Sequence, residues 1–484
     1  LYPASQTINV RDGGIGLPSN GAVYPLVIGP CAGGAASTLY FSTNQNSLRD
    51  LLLQGPALEL ALPMIRERGG VLVLKTPAST AGAAGAVTKT AASTSTGTIT
   101  VAGAAYDAYQ TKIRIKSTGA LGVARFDFAH DQLSADPSWS EEITVPSGGT
   151  YTDTKTNLTF TFVPGGGPIL FENGDSHTFA CTAPQYTTSD LATAITALLL
   201  VLGTYVIEDV YFTGRSVSAS AGATMAAAIA THMSSLEARR RWARCMTDVG
   251  ADTSANVITS FASFANSRVA VAYGQCDVPT MNPHAGWGTP RQSAAFALAE
   301  RAAGADLSEN LGRTDSGLLR VSFIVNDEGQ NQQFIESHKI NTLRTYDGQN
   351  GFFSTNGYLK SPSGSDFLYW DWGRVIDRLC RVVYNAQQRW MLRKVRTLFD
   401  GTGAIDPRDA VRIEAMVRSD LKDEILDAIT VEGFAGHVSA LEYVVDLTNN
   451  VLKTRQLKST LRAVPLPPIE GFTTDIGFTT SLAA

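Results

Sequence analysis

AVYPLVIGPCAGGAASTLYFSTNQNSLRDLLLQGPALELALPMIRERGGVLVL, residues 22–74, decides the fold class. Ala22–Ile28 and Gly70–Leu74 are short apolar runs of strand length, and Ser47–Arg68 between them carries helical patterning with one Gly-Pro interruption. A strand, a helix and a second strand in that order form a β-α-β unit, whose strands run parallel in one sheet.

Beyond residue 190 the alternation continues. Tyr205–Phe212, Ala243–Thr247 and Val269–Tyr273 read as strands, and Ala219–Ser235, Ser254–Ala265 and Arg291–Ala303 as helices. A largely parallel sheet covered by helices is expected. Between the two halves the composition turns to Ala, Gly, Ser and Thr from Thr76 to Ala102. Short β-rich runs follow at Lys112–Lys116, Val123–Phe128, Leu158–Phe162 and His177–Ala180, punctuated by PSGG and PGGG. These read as an inserted β domain over about residues 81–190. The C-terminal third is more helical. In RVIDRLCRVVYNAQQRWMLRKVR, residues 374–396, Val375, Leu379, Val382, Ala386, Trp390 and Val395 recur near helical spacing. A second helix is predicted from the N-cap Asp406 and Pro407, burying Ile413, Val417, Leu421 and Ile425.

The chain has 484 residues, 44% apolar and 17% charged, which is enough for several packed cores. A net charge of −5 lacks the concentrated basic surface that phosphate binding requires, so no nucleic-acid partner is expected. Cys31, Cys181, Cys245, Cys276 and Cys380 form no CxxC pair and read as buried thiols of a reducing compartment. The first ten residues lack a signal-peptide pattern, and Leu191–Gly203 is too short to span a bilayer, so cytoplasmic synthesis without membrane insertion is expected.

HKINTLRTYDGQNGFFSTNGYLKSPSGSDFLYWDWGRVIDRL, residues 338–379, contains an N-T-x-R segment, a Gly-rich turn, an Asn-Gly dipeptide and an Arg-containing helix. It resembles the C-terminal domain of contractile tail sheath proteins of myophages and tailocins. Pro25–Gly33 with LLLQGPALELA resembles that family's opening, LFENGDSHTFACTAP its β insertion, and LPPIEGFTTDIGFT its ending, in the same order. The resemblance implies an α/β and α+β multidomain chain: an N-terminal linking arm (1–21), a subtilisin-like middle α/β domain (22–80 and 191–337), an outer inserted β domain (81–190), an inner tube-proximal α+β domain (338–469) and a C-terminal linking strand (470–484), with terminal strands exchanged between subunits. It implies a virion-tail protein, assembled in the bacterial host cytoplasm, that polymerises with itself as helically stacked hexameric rings. Its partners would be the tail tube, baseplate and tail-terminator proteins, and it would have no cofactor and no enzymatic activity. A subtilisin-like hydrolase and a static shell or baseplate component are the alternatives.

The chain ends support exchange independently. Phe472, Ile476, Phe478 and Leu482 share one face of a period-two segment after Pro468, with Thr474 in the same register, while Thr473, Asp475, Thr479 and Ser481 share the other. At the opposite end Thr7, Ile8, Asn9 and Val10 alternate before a glycine-rich hinge. Such strands either fold back onto their own domain or add to a neighbour's sheet edge; the resemblance favours the neighbour. Arg374, Arg378, Arg381, Arg389, Arg393 and Arg396, with Asp377 as the only acid, give the predicted helix a cationic side. That side is either solvated or, for Arg378, Arg381, Arg389, Arg393 and Arg396, a docking ridge for an acidic tube or neighbour.

Catalytic and metal patterns are weak. Asp209, His232 and the GATMA run at 222–226 imitate a triad, but Thr224 stands where serine is required and the order is wrong. DGTGAID, residues 400–406, lacks the glycine and glutamate of a calcium loop. No GxxxxGK[ST] phosphate loop occurs. His130, His177, His232, His284, His338 and His437 are too scattered to indicate a metal site, and Asn157 with Thr159 is a sequon that a cytoplasmic product would not use.

Overall fold

The computed structural model describes residues 23–90, 95–132, 137–166, 170–201, 205–214, 218–249, 252–278, 291–329, 335–398, 400–428 and 436–467. The chain divides into two compact units, one of residues 1–305 with 311–378, the other of residues 306–310 with 379–484.

The first unit is built on the β-α-β start. Strand β1 (Val23–Gly29) is followed by β2 (Thr38–Ser42), helices α1 (Gln45–Leu52) and α2 (Pro56–Arg68), and strand β3 (Val71–Lys75). The Gly-Pro interruption is real: Gly55 has φ 123° and a Cβ there would come within 2.8 Å of the Cys31 Cα, so the chain must break the helix with a glycine. After the insertion come α3 (Thr188–Val201), β4 (Val206–Phe212), α4 (Ala219–Ala238), β5 (Arg244–Asp248), α5 (Ser254–Ser260), β6 (Val269–Ala272) and α6 (Ala294–Gly304). The sheet order is β6-β5-β4-β1-β3-β2, parallel throughout except for β2, which pairs antiparallel with β3 at the edge. The edge strand TLYFS was not predicted; it sits in a Gly/Ala-rich connection where five residues give too short a period to recognise.

Alternation along these strands selects a face rather than separating core from solvent. Val27, Val71, Val73, Tyr211, Met246 and Ala270 pack with α2 and α6. Leu26, Ile28, Leu72, Val210, Cys245 and Val269 pack with α3, α4 and α5 on the other side. A parallel sheet buried on both faces needs apolar residues at nearly every position, which is why its strands read as continuous runs.

The described strands between residues 83 and 182 pair antiparallel. Strands Thr150–Asp153, Leu158–Val163 and Thr98–Ala102 form one sheet, and Ser176–Thr182, Gln110–Ser117 and Arg125–Ala129 lie at the heart of another. Both contribute to one aromatic core, in which Phe126 and Phe162 stand 4.8 Å apart and Phe128 meets Phe160 edge-on at 5.4 Å.

Helix α7 (Trp370–Gln388) contributes residues 370–378 to the first unit and the remainder to the second. The predicted helix over 374–396 is therefore too long. Beyond Gln388 the backbone turns through three-residue bonds, Arg389 N–H to Ala386 and Trp390 N–H to Gln387, and Leu392 takes φ 62°. Trp390 leaves the helix line because its indole packs on the second unit's next helix, donating to Met416 Sδ at 2.8 Å. That helix, α8 (Pro407–Leu421), begins as predicted: Asp406 accepts from Arg408 N–H, and Ile413, Val417 and Leu421 are buried, as is Ile425 in the turn that follows. It supports an antiparallel pair, β7 (Val438–Val445) and β8 (Ser459–Pro465).

Candidate functional site

The strongest concentration of buried charge lies where the start of α7 meets the central sheet of the first unit. Asp377, 1% exposed, sits between two arginines that open neighbouring strands. Arg244, at the first position of β5, approaches it at 3.2 Å and also donates to the Ser267 carbonyl. Arg268, just before β6, reaches Asp377 at 2.9 Å and holds Glu237 of α4 through two further bonds. One turn earlier, Arg374 is 3.4 Å from Asp209 of β4 and donates to the Ala302 and Ala305 carbonyls. Arg378 pairs with Glu208 at 2.9 Å. Charges removed from water persist only when paired and hydrogen-bonded, so these groups fix α7 in one register on the sheet.

Gly373 makes the approach possible. A Cβ there would lie 2.1 Å from the Arg244 Nε, so a glycine is kept inside a helix despite its cost of about 1 kcal/mol. Burial pushes the Asp371 carboxyl up to about 7, against the helix N–H groups and Arg374 that favour its charged form. Asp209 is likewise pushed up, burial outweighing the pull of Arg374.

The six arginines expected on one cationic helix face are thus divided. Arg374 is buried and Arg378 half-buried in ion pairs; Arg381 is half-buried. Arg389, Arg393 and Arg396 are exposed and lie past the end of α7, where Arg389 pairs with Asp420, Arg396 with Asp409 at 2.7 Å, and Arg393 lies over Trp390. A single helical ridge does not exist, because the helix stops at Gln388. Thr7, Ile8, Asn9, Val10, Phe472, Thr474, Ile476 and Phe478 lie outside the described residues.

Asn341, from the N-T-x-R segment, has a role that its sequence did not disclose. Fully buried, it bonds both N–H groups to Val271 O, takes the Tyr273 N–H on its carbonyl, and exchanges side-chain bonds with Tyr358. It closes the β6 edge of the central sheet.

The imitation triad does not assemble. Asp209 faces Arg374, on the side of the sheet where Tyr211 packs, whereas α4, carrying Thr224 and His232, packs its Ala226, Ile229 and Met233 on the other side. Thr224 returns its hydroxyl to Ser220 O. A second hydroxyl–imidazole–carboxylate chain, Thr111–His130–Asp153 at 2.8 and 3.1 Å, lies in the insertion with Thr111 and His130 sealed from solvent, so no substrate reaches it. Among the described residues no cluster of three or more His, Cys, Asp or Glu side chains could hold a metal, and no helix is long and apolar enough to cross a membrane.

A family model described as DUF2586, N-terminal domain, matches residues 6–358. No curated protein matches the sequence. Among solved structures, the helical sheath of the anti-feeding prophage (AFP) in its contracted state is similar over 99% of this chain and 99% of its own, at 11% identity and a TM-score of 0.51. A sheath tail protein from Listeria innocua is similar over 93% and 96%, at 11% identity and a TM-score of 0.44. A chain of the AFP baseplate is similar over 62% and 76%, at 14% identity and a TM-score of 0.43. The first of these carries the fold, which is that of a contractile tail sheath protein.

Proposed function

The chain belongs to the DUF2586 family, and from that membership and its fold we propose that it is the sheath subunit of a contractile tail or related injection particle. It polymerises as stacked hexameric rings around an inner tube and shortens to drive the tube through a target envelope. The baseplate and a tail-terminator protein bound the polymer, and the assembled site is the virion tail. The observation that carries this reading is a sheath fold matched along 99% of both chains, with both compact units included. Work comes from assembly: two packings differing by a few kcal/mol per subunit, summed over many subunits, need no nucleotide.

The roles of the parts are proposed with it. The helix-covered parallel sheet serves as the subtilisin-like middle domain, residues 81–190 face outward, and residues 338–469 lie against the tube. The exposed Arg389, Arg393 and Arg396 dock an acidic neighbour, Arg389 and Arg396 giving up Asp420 and Asp409 for it, whereas Arg378 and Arg381 are half-buried. Residues 7–10 and 472–478 add strands to neighbouring subunits. The β7–β8 pair supports this last role: Glu414 and Arg418 of α8 bond Val445 N–H and Tyr443 O on β7, while no strand among the described residues pairs with the outer edge of β8, on which no residue is buried.

Replacing Ile476 and Phe478 with aspartate keeps backbone pairing possible but charges the face to be buried. The double variant is expected to fold with unchanged helical content and to form no tubes under electron microscopy. Wild-type tube formation at matched concentration would overturn the exchange, and a single rigid assembled state that never shortens would favour a static shell or baseplate role.

A further inference from the structure

Three ionisable side chains meet inside the β insertion, at a place that neither the helix clamp nor the sheath reading uses. Asp175, directly before the strand Ser176–Thr182, is fully buried, and Lys89 on the neighbouring strand Thr88–Thr90 brings its Nζ to 3.6 Å from the Asp175 Oδ2. His177 stands opposite Lys89 in that antiparallel pair and two residues from Asp175, so the three side chains leave on one face. It is 1% exposed, and neither ring nitrogen has a hydrogen-bond partner among the described residues. Sealing an imidazole from water with both nitrogens unmatched is costly, and a native chain that does so has a reason for it.

We infer that Lys89 and Asp175 condense into an intramolecular amide cross-link, with His177 carrying the proton. The Lys89 ammonium first gives one proton to the Asp175 carboxylate, leaving a neutral amine and a neutral acid; loss of both charges is favoured where water is excluded. The amine lone pair then forms the Nζ–Cγ bond. His177 takes a proton from that nitrogen and passes it to the departing hydroxyl, and the Cγ–O bond breaks to release water. One ammonium and one carboxylate thus become one secondary amide and one water, with no change in oxidation state and no co-reactant.

The surroundings suit each step. Asp175 Oδ2 accepts from the Ser95 hydroxyl and from Glu172 N–H at 3.2 Å, two donors placed where negative charge develops as Cγ becomes tetrahedral. The Lys89 Nζ is held by Ser95 O at 2.8 Å and Gly97 O at 3.2 Å, so the amine has little freedom to leave the acid. Reacting groups fixed in this way reach effective concentrations of about 10⁵–10⁸ M in well-oriented cases. Burial, with the Lys89 charge adding to it, pushes the His177 imidazole down to about 4, which keeps it neutral and able to accept a proton at pH 7. Phe171, fully buried, lies against Gly97, where a Cβ would come within 2.7 Å of its ring, and gives the pair an apolar cover. The link would join a strand near the beginning of the insertion to one near its end, and it forms within one chain, so it stands or falls apart from the sheath reading.

The test is the intact mass of the purified full-length chain after incubation at neutral pH. A chain lighter than its sequence by about 18 Da, one water, is expected, with peptide mapping placing the deficit in a branched peptide that joins residues 89 and 175. Lys89→Arg keeps the ion pair but offers no amine, and is expected to show the full sequence mass. Asp175→Asn is expected to lose ammonia instead, about 17 Da, at the same two positions. His177→Phe, an aromatic ring without the nitrogens, is expected to keep the wild-type circular dichroism and to link about a hundredfold more slowly. A wild-type chain at its full sequence mass overturns the cross-link. So does a deficit mapped to an unbranched peptide, which is the mark of a cyclised aspartate or asparagine such as Asn173 before Gly174. Linking at the wild-type rate in His177→Phe overturns the role given to the imidazole.

Discussion

Arg374 and Arg389 come from one unbroken arginine-rich stretch, yet they occupy opposite electrostatic regimes. Arg374 is 3% exposed, held between Asp209 and two backbone carbonyls in the first unit. Arg389 belongs to the second unit and pairs with Asp420 through a side chain half open to water. In water an ion pair gains little beyond what hydration already gave each partner, whereas in a core the loss of one partner strands the other. The first part of α7 is therefore a clamp and the turn after it an available surface, although the residue types are the same.

The widest separation between the two regimes is expected on removing Asp377. Asp377→Ala takes the carboxylate from the buried Arg244 and leaves Arg268 with Glu237 as its acid, and should cost about 3–5 kcal/mol in denaturant unfolding; a loss below about 1 kcal/mol would show that water replaces the carboxylate and that the clamp is not sealed.

Acidity separates them next. Asp371 has its folded value raised to about 7, above its unfolded value, so it favours the neutral form in the fold. The stability this contributes is fully present below about pH 4 and is lost as pH rises through 7, roughly 2–4 kcal/mol in all. Asp371→Asn should flatten that slope and make the variant the more stable chain at pH 8. A slope unchanged by the substitution would assign it to another group. Asp409, buried in the first turn of α8, runs the opposite way: Arg396 holds it down to about 2, and its contribution is present above its unfolded value and lost as pH falls through 2.

Smallest is the exposed pair. Arg389→Ala should change unfolding free energy by less than about 1 kcal/mol, and a loss comparable to that at Asp377 would erase the distinction.

Much of the fold was legible because it repeats locally. The strands at 22–28 and 70–74, the later strand–helix alternation and the β-rich insertion each follow from periods of two or 3.6 and from glycine punctuation. The start of α8 was legible because Asp406-Pro407 is a chemical signal confined to two residues. The end of α7 was not: Val395 continues the helical spacing, but the backbone turns after Gln388 and the Trp390 indole packs on α8. The clamp left only faint marks, a glycine at 373 inside a helix, a lone acid among arginines, and the arginines 244 and 268 at the mouths of apolar strands. None of these names its partner, since the partners lie about 110 to 170 residues apart in sequence.

By itself, then, the sequence determined most of the segments that form the central strands and helices, and that the central sheet is covered by helices. Only the tertiary structure decided which arginines are buried, where α7 ends and which sheet edge stays open. Periodicity depends on neighbours a few residues away, but whether a charge is desolvated depends on what distant segments bring to it.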